Sequence, residues 1–398
     1  MDLIKKSPKV ASVEVRPKKQ NNPIAENKNV INIIKLVLNT QLIFGINRTY
    51  LLKRGRFVSW VSKMYSIAFI ILILLQMLTY KSESVTYYII QYVSCFEFIF
   101  LVLNSMIFQR KTFEYLIENM NMYDDILNIT KENLNIMHPK FRCIIWIFVT
   151  LAFSAMEYHI GLYITDFDYT EISMTVLCTI TIMAHDGELL LFVLLLRMVY
   201  VRAQIMKAHV KKKFGKIDSK ELNKMDAISN NTQLDTTTMH RTYNLLHKCA
   251  EQLNSIMNLP MMTSLFCSGI VTTMLLTNVF MILQTDVIRS SIKRPVLVFC
   301  SVRCIRYTFM VVVPCYFSTV TTALVTQIRT TLHDATNSGS LDKIERRRVK
   351  AFFQLTREKE FAYALWGVIR LNMSLPLSYC GLCTTYLVIV IQFSKFLD

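Results

Sequence analysis

The sequence predicts an all-α polytopic membrane protein of seven transmembrane helices, with a cytoplasmic N-terminus, an extracellular C-terminus and a last helical element broken into two parts. Three observations predict it. The 398 residues are 53% hydrophobic with mean hydropathy +0.34 and hold only 9 Gly and 8 Pro, too apolar and too helix-friendly for a soluble protein of this size. Seven apolar runs are long enough to cross a hydrocarbon core, which takes about 20 residues at ~1.5 Å each. The segments joining those runs also alternate between strongly and weakly basic.

Taken in order, the first 30 residues are polar and basic (Lys5, Lys6, Lys9, Arg16, Lys18, Lys19). They have no apolar stretch beside a small-residue cleavage site, so no cleaved signal peptide is expected. Residues 30–46 are apolar but interrupted by Lys35, Asn39 and Gln41 and closed by Gly45, which suits an interfacial or packed cytoplasmic helix rather than a span. The spans follow at 64–80, 85–108, 143–163, 173–201, 258–284, 296–327 and 375–396. Connecting segments on the side of the N-terminus carry 37 lysines and arginines, and those on the other side carry 5. The positive-inside rule therefore places the N-terminus in the cytoplasm, and seven spans put the C-terminus outside. The net charge of +17 follows this topology and needs no nucleic-acid partner.

Helical patterns continue beyond the membrane at 202–214 and 240–257, separated by a polar loop at 218–238. After an Asn-Ser-Gly loop at 337–339, a charged helix is expected at 341–359. Residues 351–371 are amphipathic, with Phe352, Leu355, Phe361, Leu365 and Val368 at helical spacing, yet too charged to span. Ser374 and Pro376 then interrupt the helix, because proline disfavours helical geometry at the residue before it. The chain divides into a cytoplasmic N-terminal segment with an interfacial helix (1–63), six spans with cytoplasmic extensions (64–327), cytoplasmic anchor helices (328–374) and a final span (375–398). All four Asn-x-Ser/Thr spellings, at Asn47, Asn128, Asn230 and Asn372, fall in cytoplasmic segments, so none is expected to be glycosylated.

Of the ten cysteines, all but Cys249 lie in or beside apolar runs. Cys380 and Cys383 spell CxxC inside a span, where zinc and thioredoxin-type chemistry lack their usual context, and are read as packing residues.

Ionisable groups within spans cost roughly 2.5–3.5 kcal/mol at a helix centre and usually face a bundle interior. They are Glu97, Glu157, His159, His185, Asp186, Glu188, Arg303 and Arg306. One reading is that cations three apart pair with carboxylates on other helices and only stabilise the bundle. The other is a polar cavity, open to the outside, that takes a small ligand. Its candidate residues are Glu157, Tyr158, His185, Asp186, Glu188, Asn278, Arg303, Arg306 and Tyr307. An enzyme is disfavoured, since residues one or two apart point to different helix faces. HExxH, GxSxG, a Gly-rich phosphate loop and paired CxxC motifs are all missing, and neither cofactor nor metal is expected.

The last span has no charge from Pro376 to Lys395, and Ser378, Gly381, Thr385 and Gln392 form one helical stripe. A carboxamide such as Gln392 loses roughly 2–7 kcal/mol in lipid without partners, so the stripe faces either protein or a wet pore. Thr385, Tyr386, five apolar residues, Gln392 and Phe393 spell TYLVIVIQF. This resembles the TYhhhhhQF signature of the insect gustatory receptor family, which carries it in the last transmembrane helix. The likeness extends upstream over residues 352–393 and, more loosely, over the whole chain. The resemblance implies a seven-helix ligand-gated cation channel, inverted relative to G-protein-coupled receptors and assembled as a tetramer around the last helix. Thr385, Tyr386, Gln392 and Phe393 would belong to the pore and gate. It implies as partners a small tastant, permeating cations, membrane lipid and related subunits. Sugar-sensing members commonly have Glu after the Thr-Tyr pair, where Leu387 stands here, which favours a bitter or other non-sugar ligand. Competing readings are a G-protein-type receptor, against which stand the missing DRY and NPxxY spellings and the cytoplasmic N-terminus, and a secondary transporter, for which no internal repeat is visible.

Overall fold

The computed structural model describes residues 29–52, 55–79, 85–127, 129, 169–215, 234–284, 290–338 and 341–397. The predicted third span at 143–163, the N-terminal tail and most of the 218–238 loop lie outside them. Among the described residues there are nine α-helices and one small hairpin. The helices are α1 (Asn29–Ile43), α2 (Arg56–Thr79), α3 (Val85–Ile107), α4 (Arg110–Ile126), α5 (Tyr169–Phe214), α6 (Thr236–Gln284), α7 (Ser290–Asn337), α8 (Lys343–Glu358) and α9 (Ser374–Leu397). Five of them, α2, α3, α5, α6 and α7, are long and apolar enough to cross a membrane by that measure. The shorter apolar helices α1 and α9 flank them.

The length of α6, 49 residues, corresponds to about 73 Å at 1.5 Å per residue, against a hydrocarbon core of about 30 Å. Roughly half of it must therefore leave the membrane. That extension packs on α4, α8 and the hairpin, and the largest apolar core lies there, joining α1, α4, α5, α6, α7 and α8. Helix α4 falls in a stretch that the hydropathy pattern treats as a connection. Its buried residues Phe113, Leu116, Ile117, Met120 and Tyr123 recur at helical spacing, and the charges between them lower the average hydropathy that marks spans. Within the core, α5 packs against α1, α3, α6 and α7, as suits a helix that is apolar on nearly every side.

The predicted amphipathic helix over 351–371 is corrected. Helix α8 is capped by Asp342, whose side chain accepts from the Lys343 N–H at 2.7 Å, and ends at Glu358. The chain then folds into an antiparallel hairpin of β1 (Ala364–Leu365) and β2 (Ile369–Arg370). Its turn holds Trp366 at φ 50 and Gly367 at φ +71, the left-handed region that glycine enters without steric cost. Asn254 of α6 clamps β1: its amide donates to the Ala364 carbonyl and its oxygen accepts from the Ala364 N–H, both at 3.1 Å. Those external partners replace the bonds a continuing helix would make. Phe361 and Leu365 are still buried, whereas Val368 is 83% exposed. Helix α9 is then capped by Asn372, whose oxygen accepts from Ser374, so this Asn-x-Ser spelling is a helix start.

Candidate ligand site and pore helix

Four consecutive residues of α5, His185 to Glu188, send bonds to four other parts of the chain. Successive helical residues point about 100° apart, so a polar run on a central helix meets a different neighbour at each step. His185 Nδ1 lies 2.5 Å from Glu97 Oε1 on α3, and Ser264 of α6 donates to the same oxygen at 2.6 Å. Asp186 pairs with Arg306 of α7. The Gly187 carbonyl accepts from Gln41 of α1 at 2.9 Å. A methyl group at Gly187 would sit 3.4 Å from the Gln41 side chain, an ordinary van der Waals contact.

Glu188 accepts two bonds from Arg48, at 2.6 and 2.7 Å. Gln41 and Gln109 accept from the same guanidinium, at 2.9 and 2.7 Å. Gln109 also donates to the Ile256 carbonyl of α6 at 3.0 Å. Arg48 is 1% exposed, and a bidentate guanidinium–carboxylate pair adds geometric specificity as well as strength. Its neighbour Asn47 is buried and accepts from Thr49, which shapes the short turn carrying Arg48. Burial pushes the adjacent Tyr50 phenol up to about 12.

The sequence candidates therefore divide. His185, Asp186, Arg306 and Tyr307 meet: the Tyr307 ring stands edge-on to His185 with centroids 5.8 Å apart. Arg303 is buried one turn away, its guanidinium 5.2 Å from the centre of the Phe299 ring. Glu188 belongs instead to the Arg48 cluster. Asn278 is half-buried on α6, 14 residues or about 21 Å of helix beyond Ser264. Glu157 and Tyr158 lie outside the described residues. Arg48, Gln41, Gln109 and Ser264 escape sequence reasoning, since they look like ordinary solvated or small residues; the one available signal is that an intramembrane Glu188 requires a cation. Among the described residues no group of three or more His, Cys, Asp or Glu side chains is placed to hold a metal ion.

Helix α9 is built the opposite way. Only Pro376, Tyr379 and Cys383 are buried along its described face, a narrow stripe laid against α6. Tyr379 shares a 3.1 Å hydrogen bond with Thr272. Ser378, Gly381, Thr385 and Gln392 are all exposed, and a methyl group at Gly381 would meet nothing within 4 Å. Tyr386 is 53% exposed, whereas Tyr379 is buried. Phe393 follows Gln392 on the helix backbone.

Residues 34–396 match the family model described as 7tm Chemosensory receptor. The fold is similar to that of the insect olfactory receptor OR5 from Machilis hrabei, with a TM-score of 0.66 and 14% identity over 92% of this chain and 100% of that one. The same receptor in complex with eugenol gives a TM-score of 0.64 and 15% identity at the same coverage. No curated protein matches the sequence. With the family model spanning residues 34–396, the chain belongs to the seven-transmembrane chemosensory receptor family, which is not a family of enzymes.

Proposed function

We propose that this protein is a gustatory receptor that acts as a ligand-gated, non-selective cation channel in the plasma membrane, opened by a small non-sugar tastant. Four copies, identical or related, surround a pore lined by α9. The observation that carries this reading is the exposure of Ser378, Gly381, Thr385 and Gln392 on a helix that otherwise packs along one thin stripe. The Thr385 hydroxyl donates to the Gly381 carbonyl of its own helix at 2.9 Å, but Ser378 and Gln392 in a span require protein or water as partners, and none of the described helices covers them. A water-filled axis between subunits does. TYLVIVIQF supports the gustatory branch, and the related receptor solved with eugenol supports a small organic ligand. The split of 37 basic residues to 5 supports a cytoplasmic N-terminus, with 328–374 as the anchor beneath the membrane and 375–398 as the pore segment. In the outer half, Arg303, Arg306 and Asp186, with Glu157 and Tyr158, form the ligand cavity.

The test is current through the purified protein alone in a planar bilayer. Cation current without added partners is expected, and its absence under every applied tastant rejects the channel in favour of a receptor or transporter. An epitope after Asp398 is expected to label on intact cells; labelling only after permeabilisation reverses the topology.

A further inference from the structure

The hairpin that precedes α9 is tied to one level of α6. Asn254 clamps Ala364, and the Trp366 N–H donates to the side-chain oxygen of Asn258. Asn258 opens the apolar run 258–284, about 40 Å long at ~1.5 Å per residue, which is the thickness of a bilayer with its headgroups. The hairpin tip therefore stands at headgroup depth, on the side of α8. Leu365 and Leu371 hold it to the core, while Trp366, Val368 and Arg370 are exposed, Trp366 by 61%. Trp366 also keeps φ 50, a region that is costly for a residue with a Cβ, and so exposed a ring does not offset that cost by packing within this chain. Two other helix ends carry exposed aromatic residues on the same side. Gln109, just past α3, donates to the Ile256 carbonyl, two residues from Asn258, and its neighbour Phe108 is exposed. Helix α2, joined to the far end of α3 through residues 80–84, begins on this side with Phe57 and Trp60 exposed.

We propose that the hairpin tip is a lipid anchor: Trp366 sits among the headgroups of the leaflet on the side of α8, with Val368 at the edge of the acyl chains and Arg370 on lipid phosphate, and it ties the link into α9 to that leaflet. An indole carries an apolar body and one N–H donor, which suits the zone where water gives way to hydrocarbon. A guanidinium beside it meets phosphate with paired donors. The competing occupant is a second copy of this chain. Asn119 of α4 bonds to Gln252 of α6, and Gln252 and Asn254 point about 200° apart, so α4 and the hairpin lie on opposite sides of α6. Exposed aromatic residues at one depth on both sides form a belt around the molecule, whereas a contact between copies would mark one side. The inference rests on the membrane placement in the reading above, not on conduction.

The sequence holds three tryptophans, Trp60, Trp146 and Trp366, so Trp60→Phe with Trp146→Phe leaves Trp366 as the sole indole. In nanodiscs of lipid brominated close to the headgroup, that full chain should lose about half of its tryptophan emission relative to unbrominated lipid, and lose less in lipid brominated at the chain ends. If the double replacement fails to fold, Trp366→Phe in the otherwise unaltered chain is read instead, and it should remove part of the emission that shallow bromine quenches. Equal emission in all three lipids overturns the anchor, as does quenching that is strongest at the chain ends or a shallow-quenched share that Trp366→Phe leaves unchanged. Trp366→Cys that cross-links between copies, in a chain whose Trp366 bromine does not quench, assigns the tip to a contact between subunits instead. Shallow quenching in a chain that passes no current leaves the anchor standing and overturns the channel reading alone. Current without quenching overturns the anchor alone.

Discussion

Helix α5 is long and apolar enough to cross a membrane and α9 is a shorter apolar helix, yet they solve the problem of polar residues in opposite ways. In α5 the run from His185 to Glu188 is buried, and each polar side chain is met by a partner from a different element. In α9 the polar stripe of Ser378, Thr385 and Gln392 is exposed, and the thin buried face consists of Pro376, Tyr379 and Cys383. The difference teaches that α5 is completed by its own chain, whereas α9 is left to be completed by something else. A helix of the first kind sets the fold, and one of the second kind is free to serve an assembly.

Breaking α5 should therefore cost folding first. Glu188→Ala leaves the guanidinium of Arg48 buried without its carboxylate, a loss of about 3–5 kcal/mol for such pairs, and surface labelling should fall to background. The double replacement Arg48→Met with Glu188→Met removes both charges and should recover more surface protein than either single change. Equal labelling of Glu188→Ala and the unaltered chain would show that the cluster does not hold the scaffold.

Changes on the exposed side of α9 should leave folding within about 0.5 kcal/mol, as surface substitutions usually do, and alter the current instead. Phe393 lies one residue, roughly 100°, from Gln392, so in the pore proposed above a modest rotation would exchange an apolar ring for a polar one and rehydrate a constriction closed by dewetting. Phe393→Ala is expected to raise ligand-independent current several-fold, and Gln392→Ala to change gating or ion preference. Basal current, ligand response and permeability that all stay the same in both variants would exclude this gate. A smaller effect belongs to the buried stripe: Tyr379→Phe deletes the bond to Thr272 and should lower thermal stability by about 0.5–1.5 kcal/mol, with the pore properties unchanged.

The same contrast explains what was legible in the sequence. Spans are averages over many residues, so α2, α3, α5, α6 and α7 were readable from apolar runs, and the extension of α5 to Phe214 from its helical pattern. The ionisable residues of α5 were visible because charge in a span is rare. Their partners were not, because Arg48 lies in a basic segment and looks like one more topology-setting charge until the fold buries it. The hairpin at 364–370 was hidden for a related reason: Phe361 and Leu365 satisfy helical spacing, and bonds from Asn254 and Asn258 of α6, 110 and 108 residues earlier, divert the backbone. On α9 the sequence showed the polar stripe, but which way it faces is a property of packing.

A further tie between the two kinds of helix forms where the end of α5 meets α8, the last helix before the hairpin and α9. Lys213 of α5 lies 2.9 Å from Glu345 of α8 and donates to Thr236 of α6 at 2.8 Å, while the Thr236 hydroxyl donates to Glu345. The Thr236 bond, and then Lys213, hold the Glu345 carboxyl below its ordinary value of 4.5. A carboxylate lowered on folding stabilises the folded state fully above its unfolded value, and the contribution is lost as pH falls through the lowered one. Partly exposed pairs of this kind contribute roughly 0.2–1 kcal/mol. Glu345→Gln should therefore unfold at a slightly lower temperature than the unaltered chain at neutral pH, and the gap should close below the glutamate range. A gap that persists in acid would show that the hydrogen bond to Thr236, rather than the charge, joins α8 to the scaffold.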